Sequence, residues 1–198
     1  MASILRKLKA AGFDVLALHH AEAILTHDMP QAVADLEAVL HGLEIPVDEI
    51  VSGGGGEAPS TQRMRHQLTD LGWTKSNVTV RKLVAFDQVE SESQSLSHEI
   101  DHVKKFNTHV FALEIEWNNK DPFFDRDLES FKRLHAEGAI SIGAIITRGR
   151  SLQDDLRALL LEFAKKRKIS SLSDLETFDY APTRRQRQLI QDRERRTG

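Results

Sequence analysis

Apolar positions recur at helical spacing early in the chain and at strand spacing in its middle. Over 32–43, Val33, Leu36, Val39, Leu40 and Leu43 share one side of a 3.6-residue period, and Pro30 stands near the start, so a helix is predicted there. Gly53, Gly54, Gly55 and Gly56 then break the chain. No Gly-Lys-Ser/Thr follows them, which excludes a phosphate-cradling loop and leaves a hinge or a close backbone approach. Pro59 opens a second helix reaching to about Leu71 and closed by Gly72. Arg63, Arg65 and His66 lie along it, either as an ordinary polar face or as contacts to an anionic partner. Residues 78–84 read as a strand, and the Ser/Glu-rich 89–97 as a loop. Two strands, 97–104 and 109–118, are joined by a turn around 105–108. In the helix that follows, Asp121 is placed as N-cap and Pro122 at N1, where the missing N–H costs nothing. Phe124, Leu128, Phe131 and His135 form its stripe, with Leu134 beside them, and Gly138 ends it. The nearly unbroken apolar run 139–147 predicts a strand buried on both faces. Ser151, with Asp154 three residues on, caps a helix carrying Leu152, Leu156, Leu159, Leu160 and Phe163. The order strand, strand, helix, strand, helix predicts an α/β fold: a central mixed β-sheet flanked by helices on both faces.

Composition narrows the class. The chain has 198 residues, enough for one domain over 1–198, with its core at about 78–166 and a basic C-terminal segment, 183–198. That segment holds Arg184, Arg185, Arg187, Arg193, Arg195 and Arg196, and reads either as a phosphate-binding patch or as a solvated helix. There is no cysteine, so disulfides and thiolate metal sites are excluded and a cytoplasmic setting is expected. No apolar run is long enough to span a membrane, and the N-terminus lacks the apolar stretch of a secretory signal. A net charge of −3 speaks against a general polyanion binder but not against a DNA enzyme that concentrates carboxylates at one site.

The chemistry gathers on 109–118. Alternation puts Val110, Ala112, Glu114, Glu116 and Asn118 on one face and Phe111, Leu113, Ile115 and Trp117 on the other. The second face is apolar; the first sets two carboxylates side by side. If the preceding segment pairs as a hairpin, Asp101 joins them, with Glu99 the weaker candidate. Three such acids form a hard oxygen site suited to magnesium, one or two ions, which activates water against a phosphodiester. Taken alone, Glu-x-Glu on a strand is more often a solvated face.

Three blocks add to this: His98-Glu99-Ile100-Asp101-His102-Val103, the run from Ala112 through Glu114, Glu116, Trp117, Asn119, Lys120 and Pro122 to Leu128, and Gly143-Ala144-Ile145-Ile146-Thr147-Arg148. Together they resemble the BglII/BstYI group of type II restriction endonucleases, related in fold to BamHI and sharing the PD-(D/E)xK nuclease core. The resemblance implies a homodimeric enzyme cutting both strands of a short palindromic double-stranded DNA site, a GATC core being the leading expectation. A cognate methyltransferase is expected as a genetic companion. The resemblance further implies that Asp101 and Glu114 hold the metal, with the Ile115 carbonyl as third ligand. Glu116 stands where the parent motif has lysine, as general base or second ligand. Asn119, Lys120, Thr147 and Arg148 are the implied DNA contacts, and Glu37 a further acid from the first helix.

Two other readings compete. His98-Glu99-Ile100-Asp101-His102 is a literal H-E-x-x-H, which on a helix would bind zinc as a metalloprotease does. The surrounding strand signal and the charged Asp101 argue against it. A non-catalytic DNA-binding module on a nuclease fold is the other, opposed by the retained carboxylates.

Overall fold

The computed structural model describes residues 5–52, 57–87, 89–117, 121–180 and 182–197. The glycine quartet therefore lies outside the described residues. In chain order the elements are α1 (Arg6–Ala10), α2 (Ala21–His27), α3 (Pro30–His41), α4 (Val47–Val51), α5 (Pro59–Asp70), β1 (Thr74–Phe86), β2 (Val89–Phe106), β3 (His109–Glu116), α6 (Asp121–Ala136), β4 (Ile142–Thr147), α7 (Arg150–Lys166), a 3-10 turn (Ser173–Phe178) and α8 (Arg184–Thr197). They form two compact units: Met1–Leu43 with Thr61–Arg150, and Glu44–Ser60 with Ser151–Gly198.

The first unit holds the sheet, which among the described residues has the order β1-β2-β3-β4. The first two pairings are antiparallel and β3 with β4 is parallel, so the sheet is mixed, as the pattern predicts. The hairpin between β2 and β3 is tighter than expected. Asn107 and Thr108 alone turn it, and Asn107 takes the left-handed conformation (φ 56°) that asparagine tolerates. The polar segment 89–97, expected as a loop, is instead strand, paired with β1 from Val89 opposite Phe86 to Ser97 opposite Thr79. No apolar alternation marks it, because much of this ribbon is exposed. Backbone pairing and hydroxyl contacts such as Ser97 Oγ to Asn77 Oδ1 at 2.8 Å define it instead.

Each face of the sheet is covered by helix. On one, Leu8, Leu25, Val33, Leu36, Met64 and Leu68 from the early helices pack with Trp73, Phe106, Phe111 and Leu113. On the other, Phe131 and Leu134 of α6 pack with Ile100, Val103, Ala112 and Ile140. The stripe of α6 is thus rotated from the expected one. Leu128 is 55% exposed, and the inward positions are Asp127, Ser130, Phe131 and Leu134. Strand β4, expected to be buried on both faces, is largely half-buried, because it lies at the sheet edge.

Where α6 crosses β4, a Cβ added at Gly143 would come within 2.6 Å of Phe131 Cγ and 2.8 Å of its Cβ. The whole phenylalanine would have to move, so Gly143→Ala should destabilise by about 1–3 kcal/mol. Thermal unfolding measures this, and adding Phe131→Leu should recover part of the loss. An unchanged melting temperature for Gly143→Ala would contradict the packing described.

In the second unit, α7 turns Leu152, Leu156, Leu159 and Leu160 to one half-buried side and buries Phe163, matching the expected stripe. Phe163 and Phe178 meet edge to face at 5.1 Å, with the Arg167 guanidinium over both rings and within 3.5 Å of Asp48. Thr183 and Gln186 cap α8 reciprocally: the Thr183 N–H donates to Gln186 Oε1 at 2.7 Å and the Gln186 N–H to Thr183 Oγ1 at 3.3 Å.

Candidate active site

Strand β3 presents Glu114 and Glu116 on the face it turns to α6, and the apolar Phe111, Leu113 and Ile115 on the other. Because α6 covers that face, neither glutamate is solvated: each is 5% exposed. Ile115 lies between them with its side chain anchored in the first core cluster.

Asp101 arrives from β2 through a break in register. Thr74 pairs with Val103 and Ser76 with Ile100, so Asp101 and His102 together oppose Lys75. This is a β-bulge, a device that re-aims a side chain beside a site. It also explains why Ile100 and Val103, three residues apart, share one core cluster. Across the hairpin, the Asp101 N–H donates to Glu114 Oε1 at 3.2 Å. The Asp101 carboxylate is about half exposed and lies 3.3 Å from Lys75 Nζ, which also meets Glu99 at 2.8 Å. Glu99 points outward with it and takes no part in the buried set.

Asp127, inside the block that carries the family resemblance, was assigned no role from the sequence. This α6 residue is fully buried, its Oδ1 accepting from Arg126 Nε and Nη2, each at 2.9 Å. Its carboxyl lies within hydrogen-bonding reach of Glu116. The missed signal is positional: Asp127 continues the Phe131–Leu134 face by one turn, so a charged residue occupies a core position.

Electrostatics follow from this crowding. Burial first, then the charge of Asp101 and, more weakly, those of Asp127 and Glu116, push the Glu114 carboxyl up to about 8. Burial and the neighbouring Asp127 raise Glu116 to about 7, while Arg126 works the other way. Buried acids held this far from their ordinary range mark a candidate functional site.

The donors suit a hard divalent ion. They are all oxygen, and Glu116 Oε2 and Asp127 Oδ2 are buried with no hydrogen-bond partner among the described residues. No three His, Asp or Glu side chains among the described residues already close on one point.

The other predicted residues fall as follows. Thr147, opposite Glu116, donates its hydroxyl to the Glu116 carbonyl at 2.9 Å. Arg148 lays its guanidinium over the Trp117 ring at 5.2 Å. Both therefore stand at the strand end that carries the acids. Asn119 and Lys120 lie outside the described residues. Glu37, on α3, pairs with Lys7 at 3.0 Å and belongs to the opposite face of the sheet. The H-E-x-x-H run lies in β2, not on a helix. In a strand, residues four apart are separated by about 13 Å, too far to share one zinc ion.

Comparison with curated proteins finds no match. The family described as Restriction endonuclease BglII/BglIII, however, matches residues 13–185, a span that takes in the sheet, the bulge and every carboxylate of the cluster. With the buried acids on β3 and α6 covering them, the chain belongs to the BglII-type restriction endonucleases, a family of site-specific DNA nucleases.

Proposed function

We propose that the protein is a magnesium-dependent type II endonuclease that hydrolyses both strands of a palindromic double-stranded DNA site as a homodimer. The observation that carries this is the pair of buried glutamates on β3 with raised proton affinity, flanked by the bulge-borne Asp101. Asp101, Glu114 and the Ile115 carbonyl would hold the ion. When bound, a divalent ion supplies Lewis-acid polarisation of the scissile phosphate and neutralises the leaving 3′ oxygen. Glu116 accepts the proton of the attacking water; a carboxyl at about 7 suits that task near neutral pH. Arg126 sits against Asp127 at 2.9 Å and lends positive charge to the cluster.

Two-fold symmetry lets each protomer address one strand of a palindrome. Asn119, Lys120, Thr147 and Arg148 are the proposed DNA contacts, a GATC core the proposed site, and a cognate methyltransferase the expected genetic partner. The chain 1–198 acts as one endonuclease domain in the cytoplasm, with 183–198 lending phosphate affinity. Among the described residues no helix is long and apolar enough to cross a membrane.

Digesting a fully sequenced plasmid with magnesium and sequencing the ends tests the reading. Discrete cuts at one palindrome are expected, and absence of cleavage on any DNA would sink it. Arg148→Ala should cost about 1–3 kcal/mol in specific binding, the range of one base contact, measured by competition between cognate and non-cognate duplexes. An equal loss on both duplexes would make Arg148 a phosphate contact instead.

A further inference from the structure

We infer that the tip of the β1–β2 ribbon is a dimer arm that clasps α8 of a second copy of the chain. The inference rests on the homodimer proposed above and names the surfaces that would build it. Among the described residues β1 pairs only with β2, and β2 upstream of His102 pairs only with β1. The ribbon is anchored at its base, where Val78, Val80 and Leu96 pack against the α6 cluster and Lys82 meets Glu137 at 2.7 Å. Beyond Lys82 it runs about 13 Å further, to Phe86, with both edges open. Leu83 there is 60% exposed, with Val84 exposed beside it. A two-stranded ribbon standing alone in water is marginally stable, so an exposed apolar one calls for a cover.

Charge selects the cover. Residues 83–95 contain Asp87, Glu90 and Glu92 and no lysine or arginine, which disfavours a DNA backbone. Register puts Leu83 opposite Glu92 and Ala85 opposite Glu90, so one face of the arm sets an apolar pair beside two exposed carboxylates. The α8 helix is the reciprocal of this face. It carries six arginines against Asp192 and Glu194. Its Leu189 is 60% exposed and Ile190 is exposed beside it. Arg185 and Arg193 stand about one turn to either side of Leu189, on the same face. Leu83 against Leu189, with Glu90 and Glu92 toward Arg185 and Arg193, satisfies both surfaces at once. Two-fold symmetry makes the contact twice, arm to helix and helix to arm. Arg184 and Arg195 lie on other sides of α8 and stay available to phosphate.

Analytical ultracentrifugation of the full-length protein tests this, and the wild type should sediment as a dimer. Glu90→Lys with Glu92→Lys reverses the arm, and Arg185→Glu with Arg193→Glu reverses the helix. Each of these variants alone should dimerise at least about tenfold more weakly than wild type. Mixing the two should restore the dimer, because each arm then meets a partner helix of opposite charge. Leu83→Ser, which leaves every charge in place, should weaken the dimer as well. A variant that keeps wild-type dimer affinity overturns the inference, and so does a mixture that stays monomeric. Loss of DNA binding with the dimer intact would assign the arm to DNA and overturn it too. A wild type that is monomeric at every concentration instead fails the homodimer reading itself and takes the inference with it.

Discussion

Glu114→Gln should abolish DNA cleavage while leaving DNA binding in place. The side chain keeps its volume but loses the charge that holds the ion, and several kcal/mol of transition-state stabilisation correspond to a rate loss of roughly a thousandfold or more. Gel-shift affinity should persist, because the metal-free Glu114 carboxyl is largely protonated at neutral pH and glutamine keeps its shape and neutrality. The same variant should change stability in a pH-dependent way. The folded value of Glu114, about 8, lies above its ordinary 4.5. Between these values the native state binds more protons than the unfolded one, so metal-free wild type loses stability as pH rises through that window, by up to about 1.4 kcal/mol per pH unit. Glutamine does not titrate. Metal-free Glu114→Gln should therefore melt higher than wild type at pH 8, with the gap closing toward pH 5. Magnesium should raise the wild-type melting point at pH 8 and affect the variant less. Parallel melting curves for both proteins across this range would mean that Glu114 is not the strained acid described.

Asp35→Ala should cost about 3–5 kcal/mol of stability, the usual penalty for removing one partner of a buried ion pair. Asp35 is 2% exposed and accepts from Lys104 Nζ at 2.6 Å, Trp73 Nε1 at 3.0 Å and Gln31 Nε2 at 3.0 Å. Through Lys104 it ties α3 to the strand that carries Asp101, and through the Trp73 indole, edge to face on Phe111 at 5.2 Å, it reaches β3. Burial alone would raise its carboxyl, but the bonds from Lys104, Gln31 and Trp73 outweigh it and hold the group below its usual range. A depressed value in the folded state means the stabilisation is present above the ordinary carboxylate range and is lost as pH falls through the folded one. Denaturant unfolding at neutral pH checks the magnitude; a loss below about 1 kcal/mol would show the network to be incidental.

Much of this was legible in the sequence. The helices announced themselves through periodicity, and Glu114 and Glu116 through alternation on a strand whose other face is apolar. The link to a nuclease came from the longer block around Trp117 rather than from the two acids. Three things were hidden. Strand pairing over 89–97 leaves no mark when much of the ribbon is wet. The rotation of α6 depends on which side meets Phe131 and Gly143, and the apolar Leu128 pointed to the wrong stripe. Asp127 stayed out of sight for the same reason: a charged residue is assigned to solvent until the helix is docked.

The bulge at Asp101 and His102 sets how this gene can drift in length. The turn at Asn107 and Thr108 can gain residues without changing which way any strand side chain points. Between Ile100 and Val103 a single deletion would restore a regular strand, with these two residues two apart, still on one face and still opposite Ser76 and Thr74. The α6 cluster would survive it. The one residue left opposite Lys75 would point to the other face, so β2 would no longer set a carboxylate beside Glu114. A descendant that loses the bulge should therefore keep the fold and lose that acid, while harmless length variation should collect at the hairpin turn.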